Sequence, residues 1–282
     1  MQWYRFVFMC LICVSFMCCK KETSAAQEES LLSQIPSELR DIFSSESQKL
    51  CSDFAQFSSG DIKLENNTWN AQNLVLGSYE QCIYQQQTSS RIIWGWSWSY
   101  PDNARGINAY PQIIYGKKPW HEQSTTPHLP IQIETINQLK VSYDLAIARN
   151  EGEYNLAYDL WLTANEAAQP EDIRYELMIW EDAHAIEPFG ECRGTVDTTS
   201  GSYKFYSGEP TWEPEGTQWT YLAFLRTQTR SNGTADIDAL LNFLIEQDII
   251  SDQHYLSSIE LGTEVGNSKG YAVLKQFDVT LN

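Results

Sequence analysis

Positive charge is scarce in this sequence. It has 19 Lys and Arg against 37 Asp and Glu, a formal net charge of −18, which disfavours nucleic acid and anionic membrane surfaces as partners and suits a neutral ligand. Histidine is scarce as well. His121, His128, His184 and His254 are scattered, with no His-Glu-x-x-His spacing, so no metal and no cofactor is expected, and each histidine is read as a surface or loop residue. No Gly-x-Ser-x-Gly turn occurs, which removes the serine-hydrolase elbow. Helical periodicity is nearly missing: Asp236 to Ile249, introduced by Thr234, places Ile237, Leu240, Leu241, Leu244, Ile245 and Ile249 on one broad face. With no βαβ alternation and no internal repeat, doubly wound nucleotide-binding folds are excluded.

Long apolar runs are absent except at the start. Arg5 is followed by apolar residues from Phe6 to Met17, before Lys20 and Lys21; the run is shorter than the roughly 20 residues a membrane span needs and reads as a secretory signal over 1–19. The mature chain is therefore expected outside the cytoplasm. Cys18 or Cys19 is a candidate lipid acceptor, although Phe16 and Met17 are bulky where a lipobox has small residues. The leader holds Cys10, Cys13, Cys18 and Cys19 and leaves Cys51, Cys82 and Cys192. In an oxidising compartment two of these should pair. Cys51 with Cys82 is the expected pair, both near the start of the folded part, and Cys192 is expected as a free thiol, buried and inert. Residues 20–48, rich in Ser, Glu and Gln, read as a polar tether with at most a short helix over Leu31 to Phe43.

What is abundant is aromatic: ten Trp, 15 Tyr and 11 Phe. From residue 49 to 282 the chain is a series of short period-two segments rich in Val, Ile, Tyr and Trp, separated by Gly, Pro, Asn and Asp, which predicts an all-β sandwich. The clearest strands are Ile92 to Tyr100, Gln138 to Ile147, Tyr154 to Thr163, Tyr175 to Glu181, Ser202 to Ser207, Trp219 to Arg226, Leu256 to Glu264 and Tyr271 to Leu281. Alternation puts Glu176, Met178 and Trp180 on one face of their strand. It puts Asn155, Ala157, Asp159 and Trp161 on one face of another, and Ser258, Glu260, Gly262 and Glu264 on one face of a third. A carboxylate on an apolar strand is costly unless it is solvated or paired, so each is either a rim charge or part of a wet groove. Trp94, Trp96 and Trp98 also share a face, as a sandwich core or as sugar platforms. Three acid-bearing faces beside aromatics suit a carbohydrate groove, where sugar rings stack on indoles and hydroxyls bond to carboxylates and amides. Two carboxyl groups spanning a glycosidic bond are the minimum equipment for its hydrolysis.

The strings Asn66-Asn67-Thr68-Trp69-Asn70, Gly95-Trp96-Ser97-Trp98, Ala157-Tyr158-Asp159-Leu160, Tyr175-Glu176-Leu177-Met178-Ile179-Trp180 and Gly262-Thr263-Glu264, with Phe277-Asp278-Val279 after it, resemble glycoside hydrolase family 12, the small endoglucanases. The resemblance runs in order from about Cys51 to Asn282. It implies a β-jelly roll of two antiparallel sheets with a concave cleft, and retaining endo-hydrolysis of β-1,4-glucans without a metal. It casts Glu176 as nucleophile, Glu264 as acid/base and Asp159 as the carboxyl group assisting the nucleophile. Asn67 and Trp69 match a sugar-binding pair, Met178 a cleft-lining position, and Pro188 a loop crossing one end of the cleft; Trp96 and Trp98 are further candidate substrate contacts. The sequence departs from the family at Glu181, at the basic loop Tyr115 to His128 and at Cys192. Cellulose-like chains, mixed-linkage glucan and xyloglucan all remain open as substrates, a monomer with no protein partner is expected, and the alternative is a non-catalytic carbohydrate-binding jelly roll.

Overall fold

In the computed structural model, residues 26–89, 91–210 and 219–282 are described; the expected signal, Cys18, Cys19 and the first residues of the expected tether lie outside the described residues. Two sheets pack face to face, each burying one side of alternating strands. The smaller runs in the order β1 (Gln48–Leu50), β4 (Glu80–Gln87), β5 (Ile92–Ser99), β16 (Lys269–Leu281), β8 (Leu139–Arg149) and β14 (Asn232–Asp236). The larger runs β11 (Glu191–Thr198), β12 (Gly201–Gly208), β13 (Thr220–Arg226), β10 (Ile173–His184), β9 (Tyr154–Thr163), β15 (Tyr255–Gly262), β6 (Gln112–Gly116), β3 (Ile62–Glu65) and β2 (Gln56–Ser59). A short strand β7 (Ile131–Gln132) also pairs with β15. Among the described residues pairing is antiparallel, apart from the parallel pair β10 and β13. The helix Ile237–Glu246, shorter at its end than the expected span, puts Ile237, Leu240, Leu241 and Leu244 into the core.

The inner faces of both sheets make one continuous core. Leu156, Tyr158, Leu160 and Leu162 of β9 and Leu177 and Ile179 of β10 meet Trp94, Trp96 and Trp98 of β5 there. Trp96 and Trp98 are therefore corrected from substrate contacts to core residues. Their strand lies inside the smaller sheet, and their indole N–H groups bond to the hydroxyls of Thr263 and Ser268, each at 2.9 Å, which satisfies donors that burial would otherwise strand.

The expected tether also differs from the structure. Ile35, Leu39 and Ile42, the last two within the 3-10 helix Ser37–Phe43, are buried against Cys82, Tyr84, Ile93, Ala148 and Val273 on the outer face of the smaller sheet. The short helix agrees with the one expected over Leu31 to Phe43, but its docking on the sheet does not fit a free tether. Cys51 and Cys82 are joined by a disulfide, as expected. Cys192 is exposed rather than buried, because β11 is an edge strand whose side chains mostly face solvent.

Candidate active site

The outer face of the larger sheet carries the residues that the sequence grouped by period two. Glu176, Met178 and Trp180 come from β10, Ala157, Asp159 and Trp161 from β9, and Ser258 and Glu260 from β15. Register sets Glu176 opposite Trp161, Met178 opposite Asp159, and Asp159 opposite Glu260. The expected strand ending at Glu264 stops at Gly262, so Glu264 projects from the following loop. Asn155 fixes it there: the side-chain Nδ2 donates to Oε2 of Glu264 at 2.5 Å, and the backbone N–H of Glu264 donates to Oδ1 of Asn155 at 3.0 Å.

Burial raises Asp159, Glu260 and Glu264. Burial pushes Glu264 up to about 7, opposed by the hydrogen bond from Asn155. Asp159 is held well above the usual carboxylate range by burial and then by the negative charges of Glu176 and Glu260, with Lys118 pulling the other way. A like charge nearby favours the neutral acid, so one proton is retained within this group. Glu176 accepts a hydrogen bond from Nε1 of Trp219 at 2.7 Å. Two buried phenols lie among the same charges. Tyr110 and Tyr221 are raised first by burial and then by Asp159, Glu176 and Glu264, with Glu260 also acting on Tyr110. Tyr221 donates to the sulfur of Met178 at 3.4 Å, as does Trp180, so Met178 is part of the floor.

Beside Asp159 lies a second, ionic cluster. Lys118 Nζ is 3.3 Å from Glu65 and 3.5 Å from Glu260, and His121 Nε2 is 2.9 Å from Glu65. Gln112 donates to Glu260 at 2.6 Å and accepts from Asn67 at 3.2 Å, which ties Asn67 into the network. Glu65 is drawn down to about 2: burial works against ionisation, but the bond from His121 and the charges of Lys118 and His121 outweigh it. His121 lies in a loop, as expected, and in addition pairs with Glu65. Glu65 and Gln112 escape the sequence reading because β3 and β6 are short and the partners come from distant segments, whereas Lys118 lies in the basic loop that the sequence set apart. The acid at Glu260, on the same alternation as Glu264, was the available signal.

The remaining expected residues divide. Trp69 is 44% exposed, and its backbone N–H bonds to Oδ1 of Asn67 at 3.2 Å. Pro188 is buried within the connection between β10 and β11. That connection crosses the outer face of the sheet: β10 ends at His184, whereas β11 begins level with Leu177, three strands away. It lies against the backbone of β12, where a Cβ on Gly190 would sit 2.3 Å from the carbonyl oxygen of Ser207 and one on Gly208 2.8 Å from the Phe189 ring. Phe189, which the sequence did not single out, packs edge-on to Tyr221 with ring centres 6.1 Å apart. Glu181 is fully buried in a bidentate pair with Arg230 and accepts the Tyr143 hydroxyl at 3.1 Å, a structural role away from the carboxyl group cluster. Asn66 and Asn232 each open an Asn-x-Thr glycosylation sequence; Asn66 is buried with its amide bonded to the carbonyls of Ser52 and Gln81, which leaves no room for a glycan in the folded chain, whereas Asn232 is exposed.

The sequence profile of glycosyl hydrolase family 12 matches residues 60–282. Endoglucanase S of Pectobacterium parmentieri is 28% identical over 234 residues, covering 79% of this chain and 81% of its own. An inactive glycoside hydrolase of Phytophthora nicotianae is 27% identical over 221 residues, covering 76% of this chain and 83% of its own. A family 12 xyloglucanase from Bacillus licheniformis, solved in complex with ligand, superposes with a TM-score of 0.76 at 27% identity, over 83% of this chain and all of the other. A profile spanning residues 60–282, together with carboxyl groups gathered on the outer face of the larger sheet, assigns the chain to glycosyl hydrolase family 12, as a glycoside hydrolase of the endoglucanase type.

Proposed function

We propose that the chain cleaves internal β-1,4-glucosidic bonds by double displacement, with Glu176 as nucleophile, Glu264 as acid/base and Asp159 assisting Glu176. The observation that supports this most directly is the division of protonation among carboxyl groups around Tyr110 and Tyr221. Glu264, raised to about 7, keeps a substantial protonated fraction up to neutral pH and can give that proton away. In the first step an oxygen of Glu176 bonds to the anomeric carbon while the glycosidic bond breaks and the Glu264 proton passes to the departing oxygen. In the second, Glu264 takes a proton from water, whose oxygen displaces Glu176 and regenerates both groups. Asp159, kept neutral by burial and by its charged neighbours, can donate a hydrogen bond to Glu176 as its charge changes.

The substrate we propose is a neutral plant-type β-glucan, with Asn67 and Trp69 as sugar contacts and the connection carrying Pro188 closing one side. The net charge of −18 suits an uncharged polymer. Secretion by the N-terminal signal agrees with the disulfide, and the chain is proposed to act as a monomer. Proton NMR during digestion of cellulose-like, mixed-linkage and xyloglucan oligomers tests the reading: β-configured reducing ends appear first under double displacement, α-configured ends if the reaction inverts. The existence of an inactive relative gives weight to a second reading, a glucan-binding jelly roll, which a complete lack of released reducing ends would favour.

A further inference from the structure

Trp120 stands out among the aromatic residues. It is 51% exposed, yet its ring is not loose. It meets Trp161 edge-on at 4.9 Å and Trp219 at 6.4 Å, and those two meet each other at 5.4 Å. Both of its neighbours belong to the reaction centre: Trp161 is opposite Glu176 in the sheet, and Trp219 donates to the Glu176 carboxylate. An exposed indole is therefore held at the Glu176 end of the carboxyl group cluster.

The residues around it explain why it stays there. Trp120 sits in a tight turn closed by the N–H of His121 to the carbonyl of Lys118 at 2.8 Å. Lys118 is tied to Glu65 and Glu260, and His121 to Glu65. Lys117 donates to the carbonyls of Ala167 and Ala168, and its own N–H bonds to Ser257 at 2.7 Å. Three basic residues thus fasten the segment from both sides while the residue between them faces outward. A loop whose only task was packing would bury its Trp; charged anchors beneath an exposed ring describe a preorganised contact.

We propose that Trp120 is a sugar-binding platform that holds a glucosyl ring of the β-glucan chain beyond the cleavage point on the Glu176 side, with Lys118 and His121 as its positioning residues. The assignment rests on the outer face being a glucan site. An indole face and the axial C–H face of a β-linked glucose are both flat and apolar, and such contacts need no charge, in keeping with a neutral polymer.

Cello-oligosaccharides of increasing length, tested on the full chain, decide the matter through kcat/KM and, in parallel, through direct calorimetric binding. The native chain should gain with each added unit until the platform is occupied. Trp120→Ala should flatten that gain, by about five- to tenfold for the longest oligomer, and Trp120→Phe should restore most of it. A Trp120→Ala curve parallel to the native one, whether equal to it or uniformly below it, overturns the proposal. If the native chain binds the oligomers but releases no reducing ends, the hydrolytic reading fails separately, and loss of the length-dependent affinity in Trp120→Ala still supports the platform.

Discussion

Asn155 holds Glu264 from two sides, donating to its side chain at 2.5 Å and accepting from its backbone at 3.0 Å. The side-chain bond favours the ionised carboxylate, whereas burial favours the neutral acid and prevails, leaving the group at about 7.

The first prediction concerns pH. An acid that must start protonated loses activity as pH rises through its own pKa, so the alkaline limb of kcat/KM should fall near pH 7. Asn155→Ala removes a donor to the charged form and should move that limb to higher pH. A pH–rate profile on a soluble glucan measures both; an unmoved limb in the variant would assign the ionisation to another group.

The second concerns the nucleophile. Glu176→Gln keeps the shape and the contact with Trp219 but removes the attacking charge, so turnover should fall by about a thousandfold or more. Oligosaccharide affinity should stay largely intact. Near-native hydrolysis by this variant, measured by reducing-end release, contradicts the role proposed for Glu176.

Third, the ionic cluster should matter for acid stability. Glu65 is lowered from 4.5 to about 2 in the folded chain, so its contribution is fully present above about pH 4.5 and is lost as pH falls through about 2. A shift of that size corresponds to about 3 kcal/mol. Lys118→Met leaves Glu260 buried without its cation and should cost on the order of 3 kcal/mol at neutral pH. Urea unfolding between pH 2 and pH 7 reads both effects, and a stability curve in the variant that runs parallel to the native one through the acid range would show that Lys118 does not set the Glu65 pKa.

The sandwich was legible because its long strands alternate cleanly: Tyr154–Thr163 has the expected bounds, and Glu176, Asp159 and Glu260 share the face that period two assigns them. Alternation gives a face but not which side of the molecule that face meets. Trp96 and Trp98 obey the pattern as well as Trp161 does, yet they point inward because β5 belongs to the other sheet. The ionic cluster was illegible for a different reason. Glu65, Gln112 and Lys118 come together only when β3, β6 and β15 pair, and pairing over such separations leaves no local signal. Ile35, Leu39 and Ile42 fall within the short helical stretch expected over Leu31 to Phe43, but nothing local in the sequence says that it packs on the outer face of the smaller sheet.

That packing carries the last prediction. A Cβ on Gly95 would lie 3.0 Å from Cδ1 of Ile42 and 3.1 Å from the carbonyl oxygen of Ala272, so the glycine is what allows the N-terminal segment to sit against the outer face of the smaller sheet. Ile42 can shift, but the Ala272 carbonyl is fixed by strand pairing. Ile42→Ala should cost about 2 to 4 kcal/mol through lost burial and the cavity left behind. Gly95→Ala should also destabilise, and the two costs should be less than additive, because removing the Ile42 side chain relieves half of the crowding at position 95. Denaturant titrations of both single variants and the double variant give the coupling directly. Since this face is on the far side of the sandwich from Glu176 and Glu264, kcat should be retained in Ile42→Ala at temperatures where the variant is folded. Strict additivity would mean that the N-terminal segment does not rest on Gly95 in solution.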